Sequence, residues 1–208
     1  SIYKNKPVGN CFFSDITVFS FHPVKIITTG EGGAALTNNK EIYTKLKRLR
    51  SHGITKDLNE MVNNRNGEWY YEQQILGYNY RMNDIEAALG LSQIKRLDKI
   101  VEERNKIFKK YVQKLECKNL KMIKVPFGCR SAMHLAIALL DVTKEKHRII
   151  FKRMRERGLG VQLHYYPVHL QPFYRRQGYK EGDFVNAENY ARSAISLPVC
   201  PGLTEEMQ

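Results

Sequence analysis

The sequence predicts an α/β protein organised in two parts. Three observations predict it. A short uncharged run, "ITVFSF", is followed by a glycine-rich turn and a second apolar run, "AALTN". Apolar residues at helical spacing then follow capping residues, first near residue 40 and again after residue 83. From Met133 onward strand-like and helix-like segments alternate once more. At 208 residues the chain can bury one large core or two small ones, and 42% hydrophobic with 26% charged residues is the composition of a globular protein.

"ITVFSF" (Ile16–Phe21) is β-branched and aromatic, and Pro23 ends it while biasing His22 towards an extended backbone. "TTGEGG" predicts a tight loop, because Gly30, Gly32 and Gly33 accept positive φ. "AALTN" returns as a second strand. Asn39 is placed to cap a helix over "KEIYTKLKRLRSHG", in which Ile42, Leu46 and Leu49 share a face and Gly53 closes the end. Residues 54–76 are polar and Asn-rich, with aromatics gathered at Trp69–Tyr71, and predict a long loop. Asn83 and Glu86 form a capping-box pattern. Behind it Ile85, Leu89, Ile94, Leu97, Val101, Phe108, Tyr111 and Leu115 predict one helix of about thirty residues that links two domains. The expected division is therefore 1–84, a connecting helix over 85–116, and 117–208. In the last part "MHLAIALL" reads as a strand, "TKEKHRIIFKRMRERG" as a helix between Thr143 and Gly158, and "LGVQLHYY" as a strand. "HLQPFYRRQGYKEGDF" reads as irregular, and "NAENYARSAIS" as a helix. "GLTEEMQ" has the features of a helix start, with Thr204 as cap.

The net charge of +13 favours anionic partners, either nucleic acid or a phosphorylated small molecule. Most of the basic residues lie in helical segments such as "KLKRLR", where solvated faces account for them, and no RNA-binding pattern of basic and aromatic residues is present. Cys11, Cys117, Cys129 and Cys200 are widely spaced, without a CxxC pair or a histidine at zinc spacing, which predicts reduced thiols and no metal site. No apolar run approaches the roughly 20 residues of a membrane span. The opening "SIYKNKPVGN" has no signal-peptide core and no initiator Met.

Between Ile16 and Gly30 the only formally charged side chain is Lys25. It is either a strand-end lysine reaching solvent or an amine held away from water, where desolvation favours the neutral form that attacks an aldehyde. Ser20 lies five residues before it and the glycine turn just after. "TTGEGG" is neither a Walker loop nor a dinucleotide fingerprint, and Glu31 reads as a turn residue or an acid–base group. "GYNYRMND" places Asn79, Tyr80 and Arg81 directly before a helix start, as an anion contact or simply a structured loop. "HYYPVHLQPFY" gathers His164, His169, Tyr165, Tyr166 and Tyr174. Two histidines five apart with prolines between do not suit a metal pair, whereas a sugar or base, or plain packing, fits the loop.

The segments "DITVFSFHPVKIITTGEGGAALTN", "RSHGI", "LGYNYRMNDIEAALGLSQI" and "HYYPVHLQPFYR", with the ending "AISLPVCPGLTEEMQ", resemble the DegT/StrS family of sugar aminotransferases across essentially the whole chain. These are fold-type-I enzymes dependent on pyridoxal 5′-phosphate (PLP). The resemblance implies the end of the large PLP-binding domain followed by a small C-terminal α+β domain, that is, the C-terminal half of such an enzyme. The family's phosphate loop, ring-stacking aromatic and pyridine-pairing aspartate precede the region that corresponds to this chain. By the same resemblance Lys25 is the Schiff-base lysine that also moves the proton, Ser20 binds the cofactor phosphate, and Asn79 reaches that phosphate from a neighbouring subunit, implying a homodimer with shared sites. His164, Tyr165, Tyr166 and Pro167 form a substrate-contacting loop, and Arg81 makes an anionic contact. "FSFHPVK", "WYYEQQILGYNYRM" and "VHLQPFYRRQGY" resemble most the branch that aminates a UDP-linked 4-keto-6-deoxy-N-acetylhexosamine with L-glutamate on the way to pseudaminic acid. That implies a cytoplasmic enzyme without nucleic-acid or membrane partners. The alternatives are another nucleotide-linked keto sugar (dTDP or GDP), or a fragment that only dimerises or binds nucleotide.

Overall fold

The computed structural model describes residues 1–63 and 67–208, and the chain forms two compact units, Ser1–Leu97 and Asp98–Gln208.

The first unit opens with a small antiparallel pair, β1 (Ile2–Tyr3) and β2 (Lys6–Pro7). The two linking residues, Lys4 and Asn5, both have positive φ, as the tightest hairpin turns require. β3 (Thr17–Ser20) and β4 (Gly33–Leu36) pair antiparallel with Ser20 opposite Gly33, so the expected strand–loop–strand is present. α1 (Lys40–Arg50) begins as its sequence predicts. The Asn39 side chain accepts the Glu41 and Ile42 N–H groups at 2.8 and 3.1 Å. Its last turn carries Lys47, Arg48 and Arg50, charges that suit the carboxyl end of the helix dipole. Gly53, at φ +72°, then donates its N–H to the Arg48 carbonyl at 2.8 Å.

The segment expected to be a long loop is tied at both ends. β5 (Ile54–Thr55) and β6 (Glu72–Gln73) pair antiparallel, and 64–66 lie outside the described residues. Glu72 is buried, and its carboxylate accepts the Val62 and Asn63 N–H groups at 2.7 and 2.5 Å and the Gln74 amide at 2.8 Å. Those donors, the Val62 N–H foremost, hold its pKa below the ordinary 4.5. A buried acid thus replaces the hydrogen-bond ladder this segment lacks.

The single long helix of the sequence reading is two helices, α2 (Asp84–Ile94) and α3 (Leu97–Leu115). α2 starts on the predicted box, with Asn83 and Glu86 each accepting the other's N–H, at 2.9 and 3.1 Å. It stops because the Arg96 N–H bonds the Gln93 carbonyl at 3.0 Å, an i→i+3 closure that tightens the turn and breaks the α-ladder. Gly90 and Ser92 in its last turns, both weaker helix formers than alanine, offer little resistance to that break.

In the second unit α3 buries Val101, Ile107 and Tyr111. β7 (Leu120–Met122) follows, then the short strand β8 (Cys129–Arg130) and β9 (Ala136–Leu140). Next come α4 (Lys144–Glu156), a 3-10 turn (Val168–Leu170), α5 (Pro172–Arg175), α6 (Val185–Ser193) and β10 (Ala194–Leu197). An antiparallel sheet in the order β10-β9-β7 carries the core. Ile107 and Tyr111 pack with Met122, Ala136 and Ala138; Leu140, Val161 and Ile195 pack with Ile150, Phe151 and Met154 of α4. The small Ala136 and Ala138, at 0 and 1% exposure, let the helices approach the sheet closely.

Two sequence expectations change here. "LGVQLHYY" is not a strand: only Gln162 pairs, with Ser196, and the His164 carbonyl that a ladder would use accepts the Tyr190 hydroxyl instead. The helix in "NAENYARSAIS" ends at Ser193, whose hydroxyl folds back onto the Asn189 and Tyr190 carbonyls, and "AISL" is β10. Thr204 does cap a turn, accepting the Met207 N–H at 3.2 Å.

Candidate active site

Ser20 and Lys25 belong to one fixed loop of the first unit. Ser20 ends β3, exposed, and the neck of the loop is held by the Phe21 N–H on the Gly32 carbonyl at 2.9 Å. The Phe21 carbonyl accepts both the Thr29 N–H at 3.0 Å and the Thr28 hydroxyl at 2.9 Å. Pro23 starts a turn closed by the Lys25 N–H on the His22 carbonyl at 2.9 Å, so backbone bonds rather than packing aim Lys25. Lys25 is half-buried, not buried, and the apolar stretch beside it stays open, with Val18 74% and Val24 63% exposed. Among the described residues the Lys25 Nζ makes no hydrogen bond or ion pair. Glu31 is an exposed turn residue 3.9 Å from the His22 ring.

Under that loop Thr29 is buried against α2, where a Cβ added at Gly90 would stand 2.8 Å from Thr29 Cγ2. The glycine in α2 is thus what lets the helix close on the lysine loop.

Asn79 and Arg81 come from a second segment of the same unit, pinned across the carboxyl end of α1. The Tyr78 and Tyr80 N–H groups donate to the Leu49 and Arg50 carbonyls at 2.7 and 2.9 Å, and the His52 N–H donates to Tyr78 O at 2.7 Å. These bonds satisfy carbonyls that a helix end leaves unpaired. They also explain why "RSHGI" and "LGYNYR" occur together: Gly53 and Gly77 cross so closely that a Cβ on Gly77 would meet the Gly53 nitrogen at 2.1 Å. Asn79 and Arg81 are exposed, and neither side chain has a partner among the described residues. The Tyr78 and Tyr80 rings stack at 4.9 Å.

In the second unit His164 is half-buried and held at both ends. Its Nδ1 shares a 2.8 Å hydrogen bond with Ser196 Oγ, and its carbonyl accepts the Tyr190 hydroxyl at 2.9 Å. Tyr165 stands edge-to-face on the His164 ring; Tyr165 and Tyr166 are exposed and Pro167 is buried. His169 is not a partner of His164. It is buried with Glu188, Nε2 to Oε1 at 3.0 Å, and Glu188 also accepts the Gly182 N–H at 2.8 Å. That amide, then the His169 contact, keeps the Glu188 pKa below the ordinary 4.5. His169 is therefore a structural histidine. Sequence reasoning missed Ser196, Tyr190 and Glu188, which lie 19 to 32 residues from their partners and carry no local pattern.

The first unit thus offers the unpartnered Lys25 amine on a backbone-held loop, the Ser20 hydroxyl at the strand end that leads into that loop, and the Asn79 carboxamide on a second anchored segment. Residues 1–208 match the DegT/DnrJ/EryC1/StrS aminotransferase family, and the chain belongs to it. Members of this family are PLP-dependent sugar aminotransferases. The chain is 39% identical over 201 residues to the UDP-4-amino-4,6-dideoxy-N-acetyl-beta-L-altrosamine transaminase of Campylobacter jejuni, covering 95% of this chain and 50% of that protein. Among solved structures it is similar to Helicobacter pylori PseC, an aminotransferase involved in pseudoaminic acid biosynthesis, with TM-score 0.84 and 30% identity over 99% of this chain and 53% of that one. It is also similar to Spr1654 of Streptococcus pneumoniae in its PLP form, with TM-score 0.87 and 27% identity over 99% of this chain and 51% of that one. The chain spans about half the length of the curated relatives it matches. No helix among the described residues is long and apolar enough to cross a membrane.

Proposed function

We propose that the protein to which this chain belongs is a PLP-dependent aminotransferase of a UDP-linked 4-keto-6-deoxy-N-acetylhexosamine, with L-glutamate as amino donor, acting in pseudaminic acid biosynthesis. The observation that carries this is the free, backbone-aimed amine of Lys25 on the loop that Ser20 opens, in a chain of this family. The residues fit the cofactor by their chemistry: Lys25 supplies the amine for an aldehyde, and the Ser20 hydroxyl and Asn79 carboxamide supply neutral donors for a phosphate. When bound, PLP is the electron sink that makes amino-group transfer possible.

The residues of the chain then have separate tasks. Lys25, tethered at the turn, takes and returns a proton within its own reach. Ser20 orients the phosphate from the strand end. Asn79, on a segment fixed by α1, reaches a phosphate of a second subunit, which makes the working enzyme a cytoplasmic homodimer with shared sites. His164, held by Ser196 and Tyr190, presents its ring with Tyr165, Tyr166 and Pro167 to the sugar, and Arg81 offers a guanidinium to its anionic part.

The test is optical and chemical. Protein purified with PLP should show a visible absorbance band that borohydride bleaches, and Lys25→Ala should abolish it. Incubation with glutamate and the UDP-keto sugar should give the UDP-amino sugar by mass spectrometry. Absence of the band, or its survival in Lys25→Ala, overturns the assignment of Lys25. Preference for a GDP- or dTDP-linked keto sugar would move the substrate within the family; a GDP-perosamine synthase of Escherichia coli O157:H7 is 30% identical to the chain.

A further inference from the structure

The lysine loop and the segment that carries Asn79 and Arg81 meet at Met82. This methionine is half-buried, follows Arg81 directly and precedes Asn83, the cap of α2. Gly32 is the loop residue whose carbonyl closes the neck, by accepting the Phe21 N–H. It stands at φ +143°, and a Cβ added there would lie 2.7 Å from Met82 Cε and 2.5 Å from Thr29 Oγ1. The Met82 methyl therefore rests on loop backbone, in the space a side chain at position 32 would take. An unbranched thioether fills an irregular gap of this kind with little strain.

Hydrogen bonds fix the internal shape of the loop, but they do not fix its angle to α2. Two contacts do. Thr29, buried, sits under Gly90 within α2, and Gly32 sits under Met82 just ahead of it. One contact alone would leave the loop free to pivot about it; the second sets its tilt, and with it the direction of Lys25. Met82 does the same for its own segment. Tyr78 and Tyr80 fasten that segment to α1 through their N–H groups, and Met82 fastens its other end to the lysine loop.

We propose that Met82 is a positioning residue for Lys25, holding the lysine loop at one spacing from the segment of Asn79 and Arg81. It acts through Gly32 rather than on the reacting atoms. The proposal rests on the reading of Lys25 as the amine that takes the cofactor aldehyde.

Three variants test it. Met82→Ala removes the contact, Met82→Leu keeps most of the volume, and Leu91→Ala strips an exposed side chain from α2 as a control. In PLP-free protein, methylation by formaldehyde and cyanoborohydride is followed at each lysine by mass spectrometry. Met82→Ala should speed it several-fold at Lys25 and leave it unchanged at Lys40, which is exposed on α1. With PLP, glutamate and the UDP-keto sugar, its kcat should fall about 10- to 100-fold, the cost of misplacing a reacting group by about 1 Å. Met82→Leu should restore both readings, and Leu91→Ala should move neither. An unchanged methylation rate at Lys25, equal acceleration at Lys40, or no rescue by leucine overturns the positioning role. If the unaltered protein shows no visible band with PLP, the transaminase reading fails instead, and methylation of the PLP-free variants still decides the contact.

Discussion

Gly90→Ala sets two effects of known sign against each other. Alanine in a helix interior is favoured over glycine by about 0.8–1 kcal/mol. At Gly90 the new Cβ would stand 2.8 Å from Thr29 Cγ2, closer than carbon atoms approach. Thr29 has little freedom to yield: it is 4% exposed and its hydroxyl is bound to the Glu31 carbonyl. Overpacking a site that cannot relax costs about 1–3 kcal/mol. The clash wins, and Gly90→Ala should lose about 1 kcal/mol, a fall in Tm of about 2–4 °C for a chain of this size. Thr29→Ser deletes the offending methyl and keeps the hydroxyl. In that background Gly90→Ala should therefore stabilise, by about the propensity difference of 1 kcal/mol. Urea denaturation of the four proteins completes the cycle. If Gly90→Ala stabilises equally in both backgrounds, the close contact between α2 and the lysine loop is refuted.

Two further outcomes follow from the second unit and the loop at Glu72. Ser196→Ala removes the hydroxyl on His164 Nδ1 and should lower stability by about 1 kcal/mol. It should also shift the Nδ1 nitrogen resonance of His164 and raise KM for the sugar more than it lowers kcat; an unchanged resonance would show that the hydrogen bond is absent. Glu72 and Glu188 both have folded pKa values below the ordinary 4.5, so their stabilisation is complete above it and is lost as pH falls through the lower folded values. The urea midpoint should therefore fall as pH drops below the ordinary carboxylate range, and Glu188→Gln should flatten part of that fall. A midpoint as steep in Glu188→Gln as in the unaltered protein would remove Glu188 from the account.

What the sequence made legible was local. Asn39, Asn83 with Glu86, and Thr143 cap helices where their spacing predicts, because a cap is a contact of two or three residues. Motif resemblance proposes Lys25, Ser20 and Asn79, and backbone hydrogen bonds that no motif spells out hold the segments that carry them. What was not legible depended on distant partners. The break after Ile94 is an i→i+3 closure inside an unbroken apolar stripe, and periodicity does not register it. "AISL" becomes strand because β9 is there to pair with it, not because of its own composition. His164 and His169 look alike in sequence. Only Ser196 and Glu188, far along the chain, separate a presented histidine from a structural one.

The pinning of Tyr78 and Tyr80 to the end of α1 makes Asn79 a passenger of that helix. The backbone bonds on either side of Asn79 reach back to residues 49–52, and Glu60 grips the same helix end through Arg48 at 2.9 Å. Loosening the carboxyl end of α1 would therefore displace the asparagine without any change in its own segment.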